Sequence, residues 1–571
     1  MSRSTPGRTA ATACALAVAT GASYLATLAP GVAAGDAAEL QHAAPLLGIC
    51  HEPGYALEVA VGWLASRVPV GPSIAWRINA LQALFGTLGV VALFDALRTA
   101  TGRLVPAALG AAMLAWSSIY WSTSTVAEVY VFHAAFLLLG TSAFARFVVG
   151  RRFRFALGSA VALGVACAGR PSELLVLPGF AMAWAVASPP LRLPRAGAKL
   201  LGVAFALPFA ASVAFHWVRD DPQALHRRDA ALARELLGEP GPDAWLAGRL
   251  RAAIAYNLGI RWAEHATRRA DLGRVAGDAR RYGELLAGAA LLAGNPVPES
   301  ARARDRGFGT SLGIGGLALA LSGAVFRRRS PWVWIGVGLF VGNLAFYFWF
   351  QRWDGLTFTI PGLAGLALLA GLGAAGPQGA PPGSASRRAC AGLAAVTAGG
   401  LLVANFAPVD RSRTSEPLGF PHATPEELAQ LPPDAVLVMD YWRATTYRYL
   451  VHVEAGRDDV RVLDPAPELQ ARLVDALSKS GRRSFVLAAP PATRLAPGLR
   501  AWRRATPPWL ARYGFVEVPA SPSASGTEPA KGPRAARRER RPARVPAASS
   551  APAPSSATSR QRATRWFVVG A

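Results

Sequence analysis

The 571-residue chain carries 60 Lys plus Arg against 35 Asp plus Glu, a formal net charge of +25. It is 52% hydrophobic and only 17% charged, against about 25% charged in soluble domains, and its apolar residues gather into long runs that argue against a wholly soluble protein. The scattered Cys14, Cys50, Cys167 and Cys390 form no CxxC, which argues against a disulfide framework or a cysteine zinc site, and the continuous runs argue against an alternating β-barrel.

A spanning helix needs about 20 mostly apolar residues, because no backbone polar group can go unpaired in hydrocarbon. Eleven stretches qualify: 11–29, 74–97, 104–122, 126–148, 153–168, 172–188, 199–217, 308–326, 331–350, 357–375 and 389–406. The fifth and sixth are short, with only Gly169, Arg170 and Pro171 between them. Short cytoplasmic loops are enriched in Lys and Arg. With the N-terminus inside, every inner segment is basic: Arg3 and Arg8; Arg98 and Arg103; Arg146, Arg151, Arg152 and Arg154; Arg192, Arg195 and Lys199; Arg327 to Arg329; Arg387 and Arg388. The outer loops 117–125, 169–171 and 351–356 are poorer, and an odd span count places everything after residue 407 outside. The first span has an alternative reading as a signal peptide cleaved after Val32-Ala33-Ala34, although its apolar stretch exceeds the usual length of about 7 to 15 residues.

The expected organisation is an α-helical polytopic membrane domain over 1–407, including outer loops 30–73 and 218–307. A small α/β domain follows over 408–519, and a basic tail over 520–571. The 218–307 loop reads as polar helices near 230–237, 245–256 and 279–292. The α/β domain alternates extended runs from Ala435, Val460, Ser484 and Phe515 with helical patterns at 444–453 and 468–478. In the tail, ten Lys or Arg face two Glu among Pro, Ser and Ala, so disorder is expected. Without interleaved aromatics, and on the outer side, a nucleic-acid partner is not expected; attraction to anionic headgroups of the lipid bilayer is the favoured use.

The informative polar cluster follows the first span: Gly35-Asp36-Ala37-Ala38-Glu39-Leu40, then His51-Glu52-Pro53-Gly54-Tyr55. Two carboxylates three residues apart share one helix face at the water boundary. The same spacing suits a capping box opening a short helix, and the two roles are compatible. Sugar transfer from a lipid-linked phosphate to a hydroxyl needs a base near the acceptor proton and a cation near the leaving phosphate. Asp36 supplies the first, and Arg77, Arg170, Arg219 and Arg352 are candidates for the second. For each arginine the plainer reading is interfacial snorkelling. Glu128, near the outer end of the fourth span, is costly unless paired or facing a cavity. Arg352 and Asp354 flank Trp353, and their plainer reading is a surface ion pair. The eight histidines form no HExxH or HxH, so no metal is expected; without a Walker loop or GxSxG, nucleotide and serine hydrolysis lack residues to perform them.

Taken in order, Leu28-Ala29-Pro30, the GDAAEL and HEPGY segments, Ala75-Trp76-Arg77-Ile78-Asn79, Ala127-Glu128-Val129-Tyr130 and Asp220-Asp221-Pro222 resemble the bacterial and animal membrane family known as domain of unknown function 2723. Its animal members are protein O-mannosyltransferases. Leu431 to Ala435 and Val453 to Val460 look like that family's outer domain. The resemblance covers about 10–465 and implies a GT-C-like fold in the bacterial inner membrane. It also implies a metal-independent, inverting transfer from a polyprenyl-phosphate sugar to a protein or glycan hydroxyl, without a cofactor. Carried onto this chain, the base is Asp36 with Glu39 beside it, and the expected substrate-binding set is His51, Tyr55, Arg77, Glu128, Arg170, Arg352 and Asp354. The family's usual GDSGEL and HPPGYPL are GDAAEL and HEPGYAL here, and Asp440-Tyr441-Trp442 replaces its Gly-Asp pair. These departures leave the base assignment standing and the acceptor open.

Two rivals share the same residues. A transporter or flippase for a lipid-linked sugar predicts inverted hydropathy repeats and broken helices at the midplane, and no convincing repeat relates the halves. A noncatalytic scaffold presenting 408–519 predicts indifference to changes at Asp36.

Overall fold

The computed structural model describes residues 6–191, 193–220, 225–238, 246–260, 279–280, 283, 286, 311–350, 357–412, 422–465, 467–487 and 506–519. Arg352, Asp354, the tail 520–571 and nearly all of the expected helix 279–292 lie outside the described residues. Two units divide the chain. The first comprises the described residues of Met1–Arg228, Pro242–Pro421 and Thr445–Gly456; the second, those of Asp229–Gly241, His422–Ala444 and Arg457–Ala571.

The first unit is helical and makes the chain a multi-pass membrane protein. Seven helices among the described residues are long and apolar enough to cross a membrane. They are α1 (Pro6–Ala26), α4 (Ile74–Thr101), α7 (Val129–Gly150), α10 (Arg195–Arg219), Pro331–Trp349, Thr357–Ala374 and Ala385–Val409. Seven of the eleven expected spans correspond to them. The other four are shorter or broken. The 104–122 run forms α5 (Leu104–Ala115) and α6 (Ser118–Thr123), because Ser117 takes extended backbone and caps a new turn. The 153–168 run is the 17-residue α8 (Phe153–Gly169), and 308–326 becomes the 14-residue Gly313–Phe326. In 172–188, Pro171 and Pro178 split the run into a 3-10 turn, Pro171–Val176, and the nine-residue α9 (Leu177–Ala185).

Small residues set the helix packing. A Cβ on Gly110 of α5 would lie 2.6 Å from Gly371 Cα, and one on Gly179 of α9 would lie 2.7 Å from Gly338 Cα. The Thr357–Ala374 span is 89% buried, whereas α1 is 17% and α10 and Ala385–Val409 are each 22% buried. The Thr357–Ala374 helix therefore sits inside the bundle and the other three on its rim. Between α1 and α4 the chain forms two short helices, α2 (Asp36–Leu46) and α3 (Ala56–Arg67), which carry the polar cluster.

The second unit contains a four-stranded sheet, ordered β2-β1-β3-β4. Its strands are β1 (Val436–Val438), β2 (Arg461–Leu463), β3 (Ser484–Leu487) and β4 (Phe515–Val518). β1 runs parallel to β2 and β3, and β3 runs antiparallel to β4. The sheet packs against Leu473 and Leu477 of the helix Pro467–Ser480 and against Leu232, Ala233 and Leu237. Arg457 closes one end by chelating Asp459 and donating to the carbonyls of Ala429, Leu431 and Pro432.

Candidate active site

Gly35 takes φ 59°, a left-handed value natural to glycine, and α2 starts at the next residue. Asp36 is thus the first helical residue, not the N-cap, and the expected capping box does not form; no side chain caps this end. Asp36 and Glu39 instead share the first turn, where unpaired N–H groups favour negative charge.

Glu39 holds His51 twice. Its Oε1 accepts from the His51 backbone N–H at 2.9 Å, and its Oε2 lies 2.5 Å from ring Nδ1. Asp36 Oδ2 lies 3.8 Å from the other ring nitrogen, Nε2. Burial alone would lower the His51 pKa, but Asp36, Glu39, the bond to Glu39 and then Glu128 lift it to about 10, so the ring is an imidazolium at neutral pH. The Tyr55 hydroxyl stands 3.5 Å from Nε2, with the two rings edge to face at 5.3 Å. Asp36 keeps 31% of its side chain exposed and Glu39 20%. Glu39 is thus bonded twice to His51, and Asp36 is the more exposed of the two carboxylates.

Beneath this trio lies a layer of buried polar groups. Glu58 Oε1 accepts from Gln82 Nε2 at 2.7 Å, and its Oε2 is 3.7 Å from His133 Nε2. Burial, only partly offset by the Gln82 bond, pushes the Glu58 carboxyl up to about 8. Arg170, 4% exposed, stacks over Tyr130 at 4.7 Å and Phe358 at 5.1 Å. Among the described residues, Arg170 Nη1, Glu58 Oε2, Gln82 Oε1 and both carboxylate oxygens of Glu173 have no hydrogen-bond partner.

The loop carrying the trio is held from several sides. Asn79, fully buried, accepts from Gln41 Nε2 at 2.8 Å and the Ala127 N–H at 2.9 Å, and donates to the carbonyls of Ala29 and Gly31. Gln41 in turn accepts from the Ala33 N–H. Arg219 at the end of α10 donates to the carbonyls of Leu46 and Leu47, and the Tyr256 hydroxyl donates to that of Cys50. Gly54, at φ 87°, lets the His216 ring pack where any Cβ would collide.

Of the expected residues, Asp36, Glu39, His51 and Tyr55 come together, Glu128 caps α7 within electrostatic reach of His51 and Glu58, and Arg170 lies in the buried layer. Arg77 is engaged elsewhere, donating to Val70 and Ser66 carbonyls at the end of α3. Sequence reasoning did not single out Glu58, Gln82, His133 or Glu173. The available signal was an ionisable or amide group inside an apolar run. The Asp36, Glu39 and His51 ligand atoms lie within 4.8 Å of one another, the donor set of a divalent cation. An imidazolium has no lone pair to give, so a metal here would first have to displace the His51 proton.

Residues 36–190 match the family model described as the Protein O-mannosyl-transferase TMEM260 N-terminal domain. Protein O-mannosyl-transferase TMEM260 of Mus musculus is 32% identical over 111 residues, 19% of this chain and 16% of that protein. The Dictyostelium discoideum protein of the same name is 27% identical over 118 residues, 20% of this chain and 14% of that one. The chain therefore covers less than a fifth of the length of either relative. Among solved structures it is similar to arabinofuranosyltransferase AftD from Mycobacteria, with TM-score 0.44, 16% identity, and 83% of this chain and 35% of that one covered. It is also similar to ArnT from Cupriavidus metallidurans in the apo state, with TM-score 0.37, 14% identity, and 90% and 99% covered.

Proposed function

We propose that the chain is a glycosyltransferase of the kind its O-mannosyl-transferase relatives are named for, and that it belongs with the family of domain of unknown function 2723. It takes a sugar from a polyprenyl-phosphate donor and places it on a hydroxyl of a protein or envelope glycan. The reaction runs on the outer side of a bacterial inner membrane, with the N-terminus inside. The observation that carries this reading is the open carboxylate of Asp36 beside an imidazolium that Glu39 holds in place. That arrangement holds an oriented, part-exposed carboxylate at a point where a hydroxyl can reach it.

In the reaction the acceptor O–H gives its proton to Asp36 as its oxygen attacks the anomeric carbon. The carbon–oxygen bond to phosphate breaks with its electron pair leaving on the phosphate oxygen, and the sugar carbon inverts. Glu39 positions His51, whose ring faces Asp36 from 3.8 Å. Arg170, buried and with Nη1 unpartnered, is placed to meet the growing charge on the phosphate. None of these steps uses a metal or cofactor.

Asp36→Asn tests the reading. In membranes containing normal amounts of the variant, sugar transfer should fall at least ~100-fold, the contribution of a positioned base. Unchanged turnover would remove Asp36 from the chemistry. Net donor movement across vesicles without any glycosylated product would replace the enzyme with a flippase.

A further inference from the structure

The three sides of the Asp36 loop described so far come from residues before 260, but a fourth is supplied from far along the chain. The helix Tyr441–Arg448 runs into a π-helical turn, Tyr449–Glu454, a rare geometry that concentrates at functional positions. Residues 445–456 belong to the first unit. Three side chains of this segment reach the polar loop, all buried. Thr446 Oγ1 donates to the Ala33 carbonyl at 2.9 Å, three residues before Asp36. His452 Nδ1 lies 3.1 Å from Nε2 of His42, on the same helix as Asp36 and Glu39. The Tyr449 hydroxyl accepts from the Ala75 N–H at 2.9 Å, at the start of α4, and donates to Glu454 Oε1 at 2.6 Å.

These anchor points bracket α2. Ala33 fixes its approach, His42 its second turn, and Ala75 the α4 terminus from which Asn79 holds the same loop. α2 itself has no side-chain cap and a Pro45 in its last turn, so its own bonds fix its orientation weakly. We infer that Thr446, Tyr449 and His452 are positioning residues, forming a clasp that sets α2 and thereby the reach of Asp36. This rests on Asp36 being the base. The clasp touches no substrate; it acts by holding geometry, where a displacement of about 1 Å costs up to about 100-fold.

The full-length protein, purified in lipid nanodiscs, carries the test, with a short-chain polyprenyl-phosphate mannose and a Ser/Thr peptide as probes. His452→Ala and Thr446→Val should each lower kcat between ~10- and ~100-fold while the donor KM stays within about twofold. His452→Asn, whose amide occupies the place of Nδ1, should recover most of the loss. Combining His42→Ala with His452→Ala should cost no more than one of them, as expected of partners in one contact. Independently of catalysis, amide hydrogen exchange over 36–46 should quicken in His452→Ala. If that variant fails to fold, Thr446→Val carries the same two measurements. Unchanged exchange over 36–46, or fully additive losses at 42 and 452, would overturn the clasp. Quickened exchange in His452→Ala, alongside a wild-type protein that transfers no sugar, would leave the clasp standing and sink the proposed reaction instead.

Discussion

Asn79→Ala is the sharpest test of how the site is built. Asn79 is fully buried and makes four hydrogen bonds, two as acceptor and two as donor, to Gln41, Ala127, Ala29 and Gly31. Truncation strands the Ala127 N–H and the Ala29 carbonyl, while the Gly31 carbonyl keeps Gln41 Nε2 at 3.3 Å. At ~1–3 kcal/mol for each of the two buried groups left unpaired, the loss should be ~2–6 kcal/mol. Asn79→Asp should lose at least as much, because a carboxylate in the same shape faces two carbonyls it cannot serve. Unfolding free energy from SDS titration in mixed micelles measures it, with Val403→Ala, at a site 80% exposed on the bundle rim, as the control. A cost for Asn79→Ala below about 0.5 kcal/mol, the range of ordinary surface changes, would refute the idea that this residue organises the loop.

His51 is lifted from 6.5 to about 10, so its charged form is favoured by folding; that contribution is complete below pH 6.5 and lost as pH rises through about 10. The stability gap between wild type and His51→Gln should therefore shrink between those limits, and a gap constant from pH 6 to 10.5 in the same titration contradicts it. Glu58 is raised from 4.5 to about 8, so burial of its charge costs the fold progressively as pH climbs through that interval. Glu58→Gln, which preserves the contact with Gln82 in shape, should gain on wild type from pH 5 to pH 9; an unchanged difference across that range would place Glu58 in water.

Periodicity and charge made much of the membrane part legible. The long spans were visible because hydrocarbon tolerates nothing but continuous apolar helix, and the polar loop stood out as two carboxylates directly after a span. What was obscure has physical causes. The 172–188 run has span-like hydropathy, but Pro171 just before it and Pro178 within it each lack a backbone donor, and the helix is broken there. Asp36 looked like a cap because Asp caps well, yet the glycine before it reaches a φ that no other residue takes cheaply, and the helix starts one place later. Arg77 and Arg170 read alike in sequence; only packing decides that one serves helix-end carbonyls and the other is buried against two rings. His42 and His452 are 410 residues apart, and no local pattern announces such a pair.

The glycine seams of the bundle bear on traffic as well as on stability. Where Gly110 meets Gly371 and Gly179 meets Gly338, backbones touch with no side chain between them, so no acyl chain can slip through. In the proposed reaction a greasy carrier bound for Asp36 would travel along the outer flank, past α1, α10 or the helix Ala385–Val409, the three spans with the smallest buried share. Its tail stays among neighbouring lipids for the whole approach, and only the polar head has to enter protein.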